Sequence, residues 1–264
     1  MTATDAPRGP RPITAVRRRL DAGEPAIVVA GHVVSADVAD FLGRFGFDGY
    51  WVESEHGATT WDRVADISRA CELWGMTPMV RLPILDPALV GRALTLGAGG
   101  IVIPQVQTAE QAATLVDAGR FAPRGHRGVS MGRRSYGRAD FFAGECDGVV
   151  LVVQLEDTIA LGNLDEILAV DGIDVVFVAP NDLAQSMGHQ GEPGHPEVQA
   201  AIADALGQIA ASGRAPGTLC VAERIEHFVG LGARFLYASF DAWIADGATR
   251  YVRAVDERSG RSPA

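Results

Sequence analysis

Two acidic side chains, Glu156 and Asp182, each follow a run of apolar residues that is typical of a buried strand. Glu156 ends the stretch Gln154-Leu155-Glu156 after residues 149–153, and Asp182 follows the run 175–178. A carboxylate at such a position is costly to desolvate unless it is paired or binds a metal. Two carboxylates with water or substrate oxygens suit Mg²⁺ or Mn²⁺ better than Zn²⁺. The pair indicates a hard-metal site. The alternatives are pairing with an arginine or capping of the next helix, above all for Asp182.

A histidine and an arginine follow two other predicted strands. His56 comes directly after the acids Glu53 and Glu55, so it is either a general base oriented by a carboxylate or a structural histidine. Arg81 interrupts the apolar stretch Met79-Val80-Arg81-Leu82. A buried guanidinium needs an anionic partner, either a developing oxyanion or one of the two glutamates.

Asp182 lies in the stretch Val178-Ala179-Pro180-Asn181-Asp182-Leu183, which begins a helical turn. Backbone N–H groups at the start of a helix can hold a carboxylate. A ligand carboxylate there, next to a metal, would chelate the ion. This arrangement predicts a site for a 2-oxo acid.

The elements that must position these side chains alternate regularly between strand and helix. The expected strands are residues 26–30, 50–52, 79–82, 100–103, 150–155, 175–178, 218–221 and 235–238. Helical patterns separate them, with predicted starts at Ser35, Thr59 or Thr60, the Asp86-Pro87 pair, the Thr108/Gln111 capping box and His195-Pro196.

Eight such alternations with almost continuously apolar strands predict a parallel sheet covered by helices. A closed (β/α)8 barrel, the TIM barrel, fits best. A doubly wound open sheet would show a glycine-rich loop after the first strand, where this chain has Ala30-Gly31-His32-Val33. In a barrel, the carboxyl ends of the strands carry the chemistry. Gln105 and Asp241 also lie at such ends.

Length and charge restrict the class of protein. The chain has 264 residues, is 47% hydrophobic and carries a formal net charge of −10, which disfavours a nucleic-acid partner.

We expect a disordered tail over residues 1–12 and one barrel domain over 13–264. The three cysteines, Cys71, Cys146 and Cys220, are widely separated and are expected to be reduced core residues. Neither a secretory signal nor a membrane-spanning run is evident, so a cytoplasmic location is predicted.

The segment 122–148 is long, glycine-rich and expected to be irregular. It holds several arginines, Arg127, Arg134 and Arg138 among them. Two interpretations stay open, namely attraction of an anionic substrate and ordinary solvated side chains.

With these residues identified, the sequence resembles the HpcH/HpaI family of class II, metal-dependent pyruvate aldolases over residues 13–250. The stretches that carry the resemblance are Glu55-His56, Met79-Val80-Arg81, the run 97–104, the run 123–129, Gln154-Leu155-Glu156, the run 163–167, Ala179-Pro180-Asn181-Asp182-Leu183 and Gly194-His195-Pro196.

The resemblance implies a barrel of the phosphoenolpyruvate/pyruvate type that forms or cleaves a C–C bond in 4-hydroxy-2-oxo acids through a pyruvate enolate. It implies a divalent ion, Mg²⁺ or Mn²⁺ with Co²⁺ as a further candidate, and pyruvate or oxaloacetate with an aldehyde as substrates. It also implies a homo-oligomer, a hexamer or trimer of dimers, with the last helix exchanged between neighbours. By motif, the implied site has Glu156 and Asp182 as metal ligands, Gln154, Asn181 and Asp182 as substrate-binding residues, His56 as the base and Arg81 as the group that stabilises the enolate.

Four positions differ from the family pattern. Glu53-Ser54 replaces Asp-Gly before Glu55-His56, Asn181 replaces a small residue, and Thr95 replaces an aspartate that supports the histidine. The alternatives that remain are an oxaloacetate decarboxylase or specialised enzyme using enolpyruvate, an acyl-CoA lyase, and a 2-oxo acid binding protein without catalysis.

Overall fold

Eight parallel strands form a closed barrel in which each strand pairs with its sequence neighbours and β8 pairs with β1. The structure is a computed structural model that describes residues 14–130, 133–136 and 138–259. The predicted tail, residues 1–12, therefore lies outside the described residues. The strands are β1 (Ala26–Ala30), β2 (Gly49–Glu53), β3 (Thr77–Arg81), β4 (Gly100–Ile103), β5 (Val150–Leu155), β6 (Val175–Val178), β7 (Ala215–Leu219) and β8 (Phe235–Ser239).

Helices follow the strands and cover the outside of the barrel, which confirms the predicted fold. They are α1 (Ala15–Asp21), α2 (Ala36–Gly43), α3 (Trp61–Leu73), α4 (Pro87–Leu96), α5 (Ala109–Gly119), α6 (Phe141–Gly148), α7 (Thr158–Gly162), α8 (Leu164–Leu168), α9 (Pro180–Ser186), α10 (Pro196–Ala211), α11 (Ile225–Gly230) and α12 (Phe240–Ser259). Within the described residues, no helix is both long and apolar enough to span a membrane.

Local capping signals explain where several helices begin. Ser35 accepts a hydrogen bond from Val38 N at the start of α2, and Asp86 caps α4 with Pro87 as its first residue. Thr108 and Gln111 form the predicted capping box of α5. His195 occupies the cap position of α10. These caps confirm the expected helix starts, since each satisfies backbone N–H groups that have no partner within the helix.

Side chains of one parity on each strand point into the barrel. This inner set includes Val28, Trp51, Met79, Val152 and Phe177, which are buried together. Because side chains alternate along a strand, the same inward parity continues to the polar residues at the strand ends. The other parity packs against the helices in a second, larger apolar cluster.

Two predicted elements differ from the structure. The strand expected at 218–221 is β7, Ala215–Leu219, where Pro216 and Gly217 disguise the strand pattern. The apolar pattern of residues 159–168 predicts a single helix, but the structure has α7 and α8, separated at Asn163, whose side chain donates to Gln107 O at 2.8 Å. Of the cysteines, Cys71 and Cys220 are free and buried as expected, and the side chain of Cys146 lies outside the described part.

The segment 122–148 is not irregular throughout, because it contains α6. It connects α5 to β5 and so lies at the amino ends of the strands. Three of its arginines, Arg127, Arg134 and Arg138, are neither solvated nor near the catalytic rim, whereas Arg124 is exposed. Arg134 Nε donates to Glu145 Oε1 at 3.1 Å, and Arg127 and Arg138 lie 3.5 Å and 3.9 Å from the same carboxylate, whose side chain is 1% exposed. Both interpretations of these arginines were wrong, and their role is structural.

Candidate active site

The residues predicted to carry chemistry converge at the carboxyl ends of the strands. A cavity of about 280 Å³ there is lined by His56, Arg81, Gln154, Asn181 and Asp182. Its deeper wall contains the aromatic side chains of Trp51, Phe177 and Tyr237. Glu156 completes the group through Gln154, whose Nε2 donates to Glu156 Oε2 at 3.2 Å.

Arg81 and Glu53 are direct partners in the register between β2 and β3. Arg81 Nε donates to Glu53 Oε2 at 2.7 Å, and Nη2 lies 2.5 Å from the same oxygen. Trp51 Nε1 also donates to this oxygen, at 3.1 Å. Burial raises the pKa of Glu53, but the hydrogen bond and charge of Arg81 outweigh it, and the pKa lies below its ordinary value. Glu53 is therefore the structural carboxylate that the sequence offered as one of two partners for Arg81.

The other oxygen of Glu53 organises the segment that follows β2. Glu53 Oε1 accepts the backbone N–H of Glu55 at 2.7 Å and that of His56 at 3.0 Å. One carboxylate thus fixes both the guanidinium of Arg81 and the start of the loop that carries His56.

The remaining donors of Arg81 face the interior of the site. Nη1 lies 3.4 Å from Gln154 Oε1 and 3.0 Å from Glu55 Oε2. This second pair is a charge contact outside hydrogen-bonding alignment, so Glu55 Oε2 is buried without a hydrogen bond among the described residues. Arg81 is held at the junction of two glutamates and an amide, with its side chain only 14% exposed.

Glu156 is a buried acid, 7% exposed, with a pKa raised to about 7. Burial is the main cause, and the charges of Asp182 and Glu55 add to it. Gln105 N, from a residue with a positive φ of 55°, donates to Glu156 Oε1 at 2.9 Å and partly opposes the shift. The pKa of Glu55 is also raised, chiefly by burial.

Asp182 lies in the first turn of α9, and its residue is exposed to solvent. The cap position of this helix is Ala179, and no side chain caps it. The alternative that Asp182 caps its helix is therefore wrong. Its charge instead acts on Glu156 and Glu55, so three carboxylates share one electrostatic environment.

This carboxylate group fits a divalent cation. Mutual repulsion of the three acids, the raised pKa of Glu156 and the unbonded buried oxygen of Glu55 all describe excess negative charge. An oxygen-only ligand set suits a hard cation. The sequence pattern singled out Glu156 and Asp182 as metal ligands, but it offered Glu55 only as a partner of His56 or Arg81. The available signal for Glu55 was its position two residues beyond the end of β2, where the other candidate residues also lie.

His56 lines the cavity but is loosely held. Its side chain is 72% exposed, and Nε2 lies 3.8 Å from Glu55 Oε2. Thr95 lies on α4, where its hydroxyl donates to Gly91 O at 2.9 Å. Asp241, also noted at a strand end, accepts from His32 N and lies 2.8 Å from His32 Nδ1. It is not among the residues that line the cavity.

Comparison with known proteins gives consistent relatives. The chain is 36% identical over 237 residues to a hydroxypyruvate/pyruvate aldolase of Roseobacter denitrificans, covering 88% of this chain and 93% of the relative. It is 38% identical over 232 residues to a 4-hydroxy-2-oxo-heptane-1,7-dioate aldolase of Klebsiella pneumoniae, covering 86% and 88%. The crystal structure of an HpcH/HpaI aldolase from Desulfitobacterium hafniense superposes with a TM-score of 0.88 at 27% identity, covering 94% and 98%.

The family model described as HpcH/HpaI aldolase/citrate lyase matches residues 32–245, a range that includes strands β2 to β8. The aldolase names of the relatives agree with this match and with the acidic group at the strand ends. Membership in this metal-dependent family also supports a divalent ion as cofactor. The chain belongs to the HpcH/HpaI aldolase/citrate lyase family and is a carbon–carbon lyase.

Proposed function

We propose that this enzyme forms and cleaves 4-hydroxy-2-oxo acids through the enolate of pyruvate. The observation that carries the proposal is the position of Arg81, which lines the same small cavity as Asp182 and whose charge acts on Glu55 and Glu156. One cationic side chain next to an acidic metal site suits the stabilisation of an enolate that carries charge on one oxygen. The names of the relatives, which specify hydroxypyruvate, pyruvate and a 4-hydroxy-2-oxo diacid, support the same substrate class.

Glu156 and Asp182 would hold the divalent ion, with Glu55 as the nearest additional acid. We propose Mg²⁺ or Mn²⁺, with Co²⁺ as a further candidate, because oxygen ligands favour hard cations. When bound, the ion supplies positive charge that polarises the ketone and acidifies the adjacent methyl group.

The other side chains bind and move protons. Gln154 and the backbone N–H groups of Asn181 and Asp182 bind the carboxylate end of the 2-oxo acid. In the cleavage direction, the C4 hydroxyl loses its proton, the C3–C4 bond breaks, and the aldehyde leaves. The electron pair of that bond becomes the enolate, which Arg81 stabilises until C3 takes up a proton. His56 transfers these protons, and its exposure lets it exchange them with solvent.

Deuterium exchange into the methyl group of pyruvate tests the enolate machinery without a choice of aldehyde. We expect exchange in D₂O with Mn²⁺, followed by proton NMR, and loss of exchange with chelator, in Glu156→Ala and in His56→Ala. Glu166→Gln, an exposed acid on α8, and His227→Asn, an exposed histidine on α11, are the matched controls. Exchange that survives chelator and Glu156→Ala would refute the proposed metal-assisted enolate.

Oxaloacetate decarboxylation is a second candidate function, favoured by the loose contacts of His56 and by Thr95 on α4. Loss of CO₂ generates the same enolate without removal of a C–H proton, so it depends least on a base. We expect oxaloacetate consumption to persist in His56→Ala and to vanish in Glu156→Ala. Absence of oxaloacetate consumption by an enzyme that exchanges pyruvate protons would exclude this function.

A homo-oligomer is proposed, either a hexamer or a trimer of dimers. The support is α12, of whose twenty residues Phe240 alone is buried. Ile244, Tyr251, Val252 and Val255 follow a helical spacing and are all exposed in the single chain. Light scattering on wild type and on Ile244→Glu with Tyr251→Glu would test whether this stripe contacts a second copy. A monomeric wild type would refute the proposal.

A further inference from the structure

The connection between α9 and α10, taken with the first turn of α10, contains two histidines and two glutamates within nine residues, His189, Glu192, His195 and Glu197. Two successive turns shape it. Glu192 N donates to His189 O at 3.0 Å, and His195 N donates to Glu192 O at 2.9 Å. Each turn advances the chain by three residues, so positions 189, 192 and 195 return to the same side of the loop.

The two imidazole rings stack, with centroids 3.6 Å apart and planes inclined by 16°. Ligand atoms of His189, Glu192 and His195 all lie within 4.8 Å of one another. These atoms are close enough for one metal ion to contact all three once the two rings rotate out of their stack, since metal–nitrogen and metal–oxygen distances are about 2.0–2.2 Å.

Glu197 gives His189 the orientation that metal-binding histidines adopt. His189 Nε2 lies 3.1 Å from Glu197 Oε2, so Nε2 carries the proton that is donated to this carboxylate. The lone pair of Nδ1 is then available to an ion.

His195 can join the site at the cost of one weak bond. Its Nδ1 accepts a long, 3.3 Å hydrogen bond from Glu197 N at the start of α10. Capping explains His195 but explains neither His189 nor Glu192. The proposed reaction uses none of the three.

We propose that His189, Glu192 and His195 form a second metal site, separate from the carboxylate site and selective for Zn²⁺ and related ions. Two imidazoles and one carboxylate match Zn²⁺, Co²⁺, Ni²⁺ or Cu²⁺, whereas Mg²⁺ and Mn²⁺ prefer oxygen ligands alone. The three protein ligands leave the fourth position of a tetrahedral ion to water. Because α9 carries Asn181 and Asp182 at its other end, an ion here ties the segment that follows the catalytic loop to α10.

Calorimetric titration of Zn²⁺ into tag-free, chelator-stripped protein tests the site. Saturating Mg²⁺ occupies the carboxylate site during the titration, and a parallel series in Glu156→Gln removes that site altogether. We expect one Zn²⁺ per chain in both backgrounds. His189→Ala and Glu192→Ala should each weaken binding by at least tenfold, on the order of the losses that follow disruption of metal sites.

His227→Ala is the matched control, because His227 is an exposed histidine on a different helix. It should leave Zn²⁺ affinity unchanged. Visible absorption of bound Co²⁺ in the Glu156→Gln background gives a second readout that should disappear in His189→Ala. Circular dichroism confirms that each variant is folded, which matters most for His195→Ala because that change also removes a helix cap. The proposal is overturned if no Zn²⁺ binds in either background, or if binding is equal in wild type, His189→Ala and Glu192→Ala.

Discussion

Replacement of Glu156 by glutamine is expected to stabilise the metal-free protein at neutral and alkaline pH. Glutamine has the shape of glutamate but no charge. Its oxygen can accept the bond from Gln105 N that Glu156 Oε1 now accepts at 2.9 Å. The variant therefore removes the charge of a buried acid while it keeps the main backbone contact.

The magnitude follows from the pKa of Glu156, about 7 in the folded chain against an ordinary 4.5. At 1.36 kcal/mol per pH unit, this difference amounts to roughly 3 kcal/mol of destabilisation once the pH exceeds 7. The sign is set by proton uptake. Between pH 4.5 and 7 the folded chain holds a proton that the unfolded chain has lost, so the free energy of unfolding falls as the pH rises.

Glutamine also brings a cost. Its NH₂ group would face Gln154 Nε2, a donor that now bonds Glu156 Oε2 at 3.2 Å. Loss of such a bond costs about 1 kcal/mol at every pH. We expect a net gain of about 1–2 kcal/mol at pH 8 that becomes a small loss near pH 5, where wild-type Glu156 is protonated.

Urea unfolding in the presence of chelator, at fixed protein concentration and at both pH values, measures this difference. Added Mn²⁺ should stabilise the wild type and leave the variant unchanged, because binding to the folded state alone raises stability. A variant that is less stable than wild type by the same amount at both pH values would contradict the reasoning, since the charge of Glu156 would then carry no cost.

Three further changes test separate parts of the structure. Arg81→Lys should lower the rate of pyruvate proton exchange by about 10²–10³-fold, while the free energy of unfolding stays close to that of the wild type. Lysine keeps the charge but cannot contact Glu53 and the enolate at the same time. An unchanged exchange rate would exclude a role for the guanidinium. Glu53→Gln should destabilise the protein by roughly 3 kcal/mol at pH 7, since it removes the carboxylate that forms the closer ion pair with the buried Arg81 and leaves only the contact with Glu55. Because the lowered pKa of Glu53 stabilises the fold only while the acid is ionised, this loss should shrink as the pH falls below the ordinary value of 4.5. Urea unfolding at neutral pH and at a series of lower pH values measures the change. Glu145→Gln should cost roughly 3 kcal/mol through its buried arginines yet leave the exchange rate of the folded enzyme intact, a result that thermal melts and NMR check together.

Sequence patterns were sufficient for the fold because eight apolar strands and their caps recur at regular spacing. They were also sufficient to place Glu156 and Arg81, since a charge within an apolar strand must face a partner at the strand end. Which glutamate pairs with Arg81 could not be predicted, because the answer depends on the pairing register of two strands. Glu53 and Glu55 were equal candidates for Arg81 until the pairing of β2 with β3 placed Glu53 directly opposite.

Other features could not be predicted because they depend on which end of the barrel a segment occupies. The arginines of 122–148 suggested solvated side chains or attraction of an anionic substrate, yet Arg127, Arg134 and Arg138 surround the buried carboxylate of Glu145 within the same segment. The cluster of His189 and His195 has a spacing of six, which matches neither a strand nor a helix. Two consecutive turns, rather than regular secondary structure, bring these residues together.

The floor of the barrel has a consequence for the order of kinetic events. Val16 of α1 is fully buried among the inner residues at the amino ends of the strands. The rings of Trp51, Phe177, Phe235 and Tyr237 pack above it in tilted and edge-to-face contacts, with centroids 5.1–6.5 Å apart. This packed column leaves the cavity one mouth, at the carboxyl ends. In the proposed reaction, the aldehyde leaves through that mouth first and pyruvate leaves last. Pyruvate should then compete with the hydroxy-oxo acid for the free enzyme, while the aldehyde should not.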